Sequence, residues 1–169
     1  MTADLVESFG WFQANKEEST AETQRAQRKL SRNAETALLV AGALCLVLPL
    51  VEQRELGAYL FGLVWLGFVF FLDPVNARLG EPSLIADLAA GRSARFWSLL
   101  ISGWVCGWLW EFWNFWAEAK WVYIFPIFQG WKIFEMPVPG YLGFLPFALE
   151  CFVMYVFASH VLGKVKRKR

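Results

Sequence analysis

Four runs of mostly apolar residues, at 36–51, 56–72, 96–117 and 141–162, constrain this chain more than any other feature. Each is close to the roughly 17–25 residues a helix needs to cross a hydrocarbon core, where every backbone N–H and C=O must find its partner within the segment. The first run is the shortest, and Pro49 shortens its regular part further. Residues 1–32 contain no apolar run of that length followed by a small-residue cleavage site, so the first crossing is expected to act as the insertion signal. With 57% hydrophobic residues and a mean hydropathy of +0.38, the chain is more apolar than a soluble domain of 169 residues. The fold class that follows is all-α, a polytopic membrane bundle of four transmembrane helices.

Basic residues orient such a bundle. Lys16, Arg25, Arg28, Lys29 and Arg32 precede the first crossing, Arg78, Arg92 and Arg95 lie between the second and third, and Lys164, Lys166, Arg167, Lys168 and Arg169 follow the fourth. Those three regions share one side, whereas the opposite loops hold only Arg54, Lys120 and Lys132. The positive-inside rule therefore places both termini in the cytoplasm, as in a bacterial inner-membrane protein. The net charge of +1 hides this asymmetry; the basic face meets anionic lipid head groups. Topology already explains the basic tail KVKRKR, so nucleic acid is not expected as a partner. The chain divides into a cytoplasmic arm at 1–33, a transmembrane domain at 34–163 and a basic tail at 164–169.

In the arm, Leu5, Val6, Phe9 and Phe12 recur at helical spacing, which fits an interfacial helix or a docking helix. Residues 16–32 are polar and lack an apolar stripe. Asp73-Pro74 is expected to break the second crossing, and Ser83 with LIADLAAG to form a short surface helix ending at Gly91. Cys45, Cys106 and Cys151 all fall within crossings and read as small packing residues, with no metal site. No phosphate-binding loop, dinucleotide fingerprint or nucleophile elbow occurs. His160 is the single histidine; reaching the interface and ligating a pigment are both open to it.

The third crossing carries the chemistry, in GWVCGWLWEFWNFWAEAKW. Gly103, Gly107, Glu111, Asn114 and Glu118 are spaced by four, four, three and four, so one helical face is first small, for helix packing, and then polar. Trp104, Trp108 and Trp110 lie deep, while Trp116 and Trp121 fall at the expected interface. In the fourth crossing Pro146 loosens a turn, and Glu150 shares a face with Gly143, Phe147 and Met154. An acid at that depth costs at least ~2.5 kcal/mol on insertion scales and normally faces protein or water. Glu111 and Asn114 are expected to reach the fourth helix near Glu150. Between the two crossings, residues 123–140 are apolar but interrupted by Pro126, Pro137 and Pro139, which predicts a re-entrant or interfacial loop bringing Lys132 and Glu135 to the same end. The expected polar pocket thus comprises Glu111, Glu135 and Glu150 with Asn114, Lys132, Trp108, Trp110 and Met154.

Trp110-Glu111, then Trp121, then FEMPVPGYLGF over about a third of the chain resemble the bacterial membrane lycopene cyclase domain, with its W-D, later Trp and Pro-x-Glu-Glu. The resemblance implies acids that protonate a polyene end group and rings that stabilise the cation. Here Val138-Pro139-Gly140 stands in place of the glutamate pair, with Glu135 before it and Glu150 beyond. DPVNARLGEPSL, CGWLWEFWN, KWVYIFP and KIFEMPVPGYLGFLPFALE together also resemble small bacterial inner-membrane proteins, which implies a membrane setting and no particular chemistry.

Two functional expectations follow. One is a non-enzymatic membrane subunit or scaffold in a larger assembly or homo-oligomer, in contact with membrane lipids and compatible with a bound lipid, quinone or carotenoid. The other is an intramembrane acid/base enzyme acting on an isoprenoid or lipid, with Glu111, Glu150 and Glu135 as its catalytic groups.

Overall fold

The computed structural model describes residues 32–51, 57–60, 62–124 and 128–167; the expected arm helix and the end of the basic tail lie outside them. The chain is mostly helical. In order come α1 (Arg32–Val51), α2 (Gly57–Leu60), α3 (Gly62–Arg78), α4 (Leu84–Ala89), α5 (Ala94–Trp116), β1 (Lys132–Ile133), β2 (Met136–Pro137), a 3-10 turn (Val138–Gly143) and α6 (Phe144–Arg167). The main packing pairs are α1 on α3, α3 on α6 and α6 on α5.

Two helical stretches, 33–51 and 138–163, are long and apolar enough to cross a membrane by length and composition. Of the second expected crossing, residues 57–60 and 62–72 are helical, within α2 and α3. The third is a continuous helix of 23 residues whose apolar run is diluted by Arg95, Glu111, Asn114 and the indole nitrogens of its tryptophans.

Glycines set the helix approaches. A Cβ on Gly42 of α1 would lie 2.6 Å from the backbone nitrogen of Phe71 on α3, and one on Gly103 of α5 would lie 2.4 Å from the carbonyl oxygen of Phe144 on α6. One turn on, a Cβ at Gly107 would fall 2.1 Å from the Phe144 ring. Only residues without side chains let these backbones come so close. The core between α3, α4, α5 and α6 is formed by Val69, Leu84, Leu99, Leu149 and Val153.

Three proline expectations are corrected. Pro49 and Pro74 both sit inside helices that continue past them, to Val51 and Arg78. A proline removes one donor and crowds one carbonyl; two residues beyond Pro74 the buried Asn76 ties α3 to α6, its amide donating to the Val153 carbonyl oxygen at 3.0 Å. Pro146 loosens nothing, because α6 begins at Phe144 and the first helical turn has no intrahelical partner for its N–H groups.

The connector from α3 to α5 is a polar web and not a surface strip. Asp73, with no exposed surface, accepts from Ser83 Oγ at 3.0 Å and from the amides of Leu84 and Ile85, both at 2.8 Å. It thereby serves as a distant cap for α4, alongside the local cap from Ser83 to Ala86 N. Asp87 on α4 pairs with Arg92 at 2.8 Å and also with Arg95 on α5. Gly91 takes the left-handed φ of 76° that ends the short helix. Beside this web, Arg78 ties α3 to Glu35 of α1 at 2.9 Å.

Candidate functional site

At the opposite end of the bundle, the segment after α5 returns and closes over it. The local sequence explains how. Asn114 uses its side-chain amide as a second backbone: Oδ1 accepts from Trp121 N at 2.7 Å and Nδ2 donates to Trp121 O at 2.8 Å. That clamp turns the chain at the end of α5. Lys132–Ile133 and Met136–Pro137 then pair antiparallel around Phe134 and Glu135. Phe134 adopts a φ of 57°, a costly backbone for a bulky residue. Its ring is held by Trp108 (6.1 Å between centroids), Phe112 (6.1 Å) and Phe115 (5.5 Å), which lie along one face of α5. Tyr141 in the following turn donates to Ile133 O at 2.9 Å and lies 4.7 Å from the Trp108 ring.

Beneath this hairpin is Glu111, with 0% of its surface exposed. Tyr123 Oη donates to Glu111 Oε1 at 2.5 Å. The indole of Trp110 lies close enough to act on the same phenol. Burial, and next the bond to Glu111, hold the Tyr123 phenol well above its ordinary value of 10.0, so it stays a donor at neutral pH. Glu111 Oε2 is buried with no hydrogen bond; the amides of Glu135 and Met136 act on the carboxyl through space without closing one. Trp108 Nε1 is likewise buried and unpaired. Glu135 closes the rim through Lys120, 2.5 Å away, whose ammonium also sits 5.2 Å from the Phe115 ring centre.

The expected pocket members therefore separate. Glu111, Glu135 and Trp108 come together under the hairpin. Asn114 does not face the bundle, because the loop clamp uses its amide. Trp110 is 57% exposed and meets the site only through Tyr123. Lys132 stands in β1 opposite Pro137 and makes no ion pair among the described residues. Met154 and Cys151 are exposed on α6, and Cys106 is exposed on α5.

Glu150 belongs elsewhere. It shares a face of α6 with Gly143 and Phe147, and both of those meet Trp65 of α3. Taking Phe144 as level with Gly107, Glu111 lies about 6 Å along the axis one way and Glu150 about 9 Å the other. The two acids thus occupy different levels and different helix seams. Glu150 is 8% exposed and forms no hydrogen bond or ion pair with any described residue. Tyr123, the partner that defines the site, escaped the sequence reading: it sits twelve residues from Glu111 in a segment with no regular period, and only the hairpin brings it back. His160 Nδ1 lies 2.7 Å from Glu81 Oε1 at the connector end, and its Nε2 is buried without a partner. Among the described residues no group of acids, histidines and cysteines is arranged to hold a metal. Set against known proteins, the chain matches no family model, no curated protein and no solved structure.

Proposed function

We propose that this chain is a four-crossing protein of a bacterial inner membrane with both termini in the cytoplasm, and that it serves as a small membrane subunit. In this reading α5 offers its outer face to a partner in a larger assembly or to a second copy, with a lipid, quinone or carotenoid as the class of small molecule it accommodates. The observation that carries it is Trp104. This residue stands near the middle of α5, is 45% exposed, and makes no hydrogen bond among the described residues. Acyl chains cover an indole ring well but offer its N–H no acceptor, whereas a neighbouring helix or a ligand carbonyl does. Beside it Ile101 and Trp97, one and two turns earlier, continue the exposed face. Native mass spectrometry of gently solubilised protein should show a species heavier than the 19.4 kDa chain. Trp104→Phe keeps an aromatic ring, though a smaller one, deletes the donor and should return the protein toward the single-chain mass. A single chain with bulk lipid only, in the unaltered protein, would overturn the proposal.

A second reading is favoured by the unpaired Glu111 Oε2 beside the Tyr123 phenol: an acid/base site acting on an isoprenoid or lipid, as the lycopene-cyclase resemblance implies. Glu111→Gln separates the two. A structural contact tolerates the amide and the protein keeps its function, whereas a proton donor replaced by an amide leaves a folded, inactive protein.

A further inference from the structure

Two buried polar atoms beside α6, Asn76 Oδ1 and His160 Nε2, lack the partners their burial calls for. Glu150, 8% exposed, has no hydrogen bond among the described residues. Val153, three residues on, is fully buried, and its carbonyl receives Asn76 Nδ2, while Asn76 Oδ1 on the same amide is buried and unpaired. Seven residues further is His160, with Nδ1 at Glu81 and Nε2 buried and unpaired. Helical rise puts the levels about 5 Å and about 10 Å apart, in the order Glu150, Asn76, His160. An unpaired buried polar atom costs about 1–3 kcal/mol, and internal water is its ordinary remedy. Glu81 at the far end is the member that reaches solvent, with its side chain 36% exposed.

We propose that Glu150 exchanges its proton with the aqueous phase on the side of the C-terminus, by way of Glu81, His160 and water held at Asn76. Glu81 takes a proton from solvent and passes it to His160 Nδ1. The imidazolium so formed, balanced by Glu81, releases the Nε2 proton inward, and water at Asn76 Oδ1 hands it on to the Glu150 carboxylate. One proton enters, one arrives, and the imidazole is neutral again. The neighbouring charges are otherwise engaged: Arg78 with Glu35, Asp73 with Ser83 and the α4 amides, and Arg95 with Asp87. At the opposite end Glu111 bonds to Tyr123, and the thiol of Cys151 stands beside Glu150.

This inference rests on the proposal that α6 crosses a membrane, but its test is referred to the C-terminus and does not depend on which compartment that end occupies. The full-length protein is placed in sealed vesicles, and the side of a C-terminal tag is read by protease access. Dicyclohexylcarbodiimide, which modifies protonated carboxyls in apolar surroundings, is added at several pH values set on one side at a time. The expected result, read by peptide mass spectrometry, is modification of Glu150 that quickens as the pH falls on the tag side and ignores the other side. His160→Gln, which keeps a neutral hydrogen-bonding side chain, should abolish that dependence, and Asn76→Leu should slow the modification several-fold. Modification that follows the opposite side, an unchanged response in a folded His160→Gln protein, or no modification of Glu150 at all would each overturn the path. A tag found on the outer face would refute the proposed orientation and leave the path standing.

Discussion

A single phenol decides how Glu111 is kept. Because Tyr123 donates to a carboxylate with no exposed surface, Tyr123→Phe strands Oε1 as well as Oε2, and a buried acceptor left without its donor costs about 1–3 kcal/mol. Thermal unfolding in mild detergent should show that loss, and Tyr59→Phe, at an exposed position, should not. The sign of the pH dependence follows from the raised phenol. The folded protein holds this proton more tightly than the unfolded chain, so the contribution is complete below about pH 10 and fades as the pH climbs beyond it. Alkaline destabilisation above pH 10 should therefore be weaker in Tyr123→Phe than in the parent. A stability curve indistinguishable between the two proteins at every pH would show that the bond contributes nothing.

For the helices, packing depends on where a methyl group fits. Gly103→Ala pushes a Cβ against a backbone carbonyl of α6 that has no rotamer to change, so a loss of about 1–3 kcal/mol is expected from overpacking. Gly163→Ala, where a Cβ meets nothing within 4 Å, should be neutral or stabilising by up to about 1 kcal/mol, since alanine is the better helix former. If both variants unfold at the same temperature, the close approach of α5 to α6 is not what holds that seam. The small-residue spacing at Gly103 and Gly107 was legible in the sequence because the period of a helix is a local property. The fates of Pro49, Pro74 and Asn114 were not. Whether a proline ends a helix depends on what anchors the residues after it, and whether an amide faces the bundle depends on a loop seven residues later that competes for it.

Seen whole, the bundle has a polar end and an aromatic end. Asp73, Asp87, Arg92 and Arg95 gather at one, and the hairpin over Glu111 closes the other. Among the described residues only 11% of the apolar span of α1 is buried. Under the proposed topology, a periplasm-only reporter fused after Arg169 stays silent and a cytoplasm-only reporter at the same position is active. The reverse pattern would refute it. Composition and run length made the helical, apolar character readable in advance. The seams did not follow from them, because four greasy helices of similar length can be ordered in several ways, and glycine positions and buried amides choose among these.

The hairpin also has a consequence for how the chain is made. Tyr123 lies twelve residues after Glu111, which a ribosome adding about 5–20 residues per second covers in roughly 0.6–2.4 seconds. The acid on α5 thus receives its donor almost as soon as the helix emerges, without waiting for α6. Glu150 comes later and enters beside α3, which already exists. Glu111 and Glu150 thus meet their surroundings in the order of synthesis.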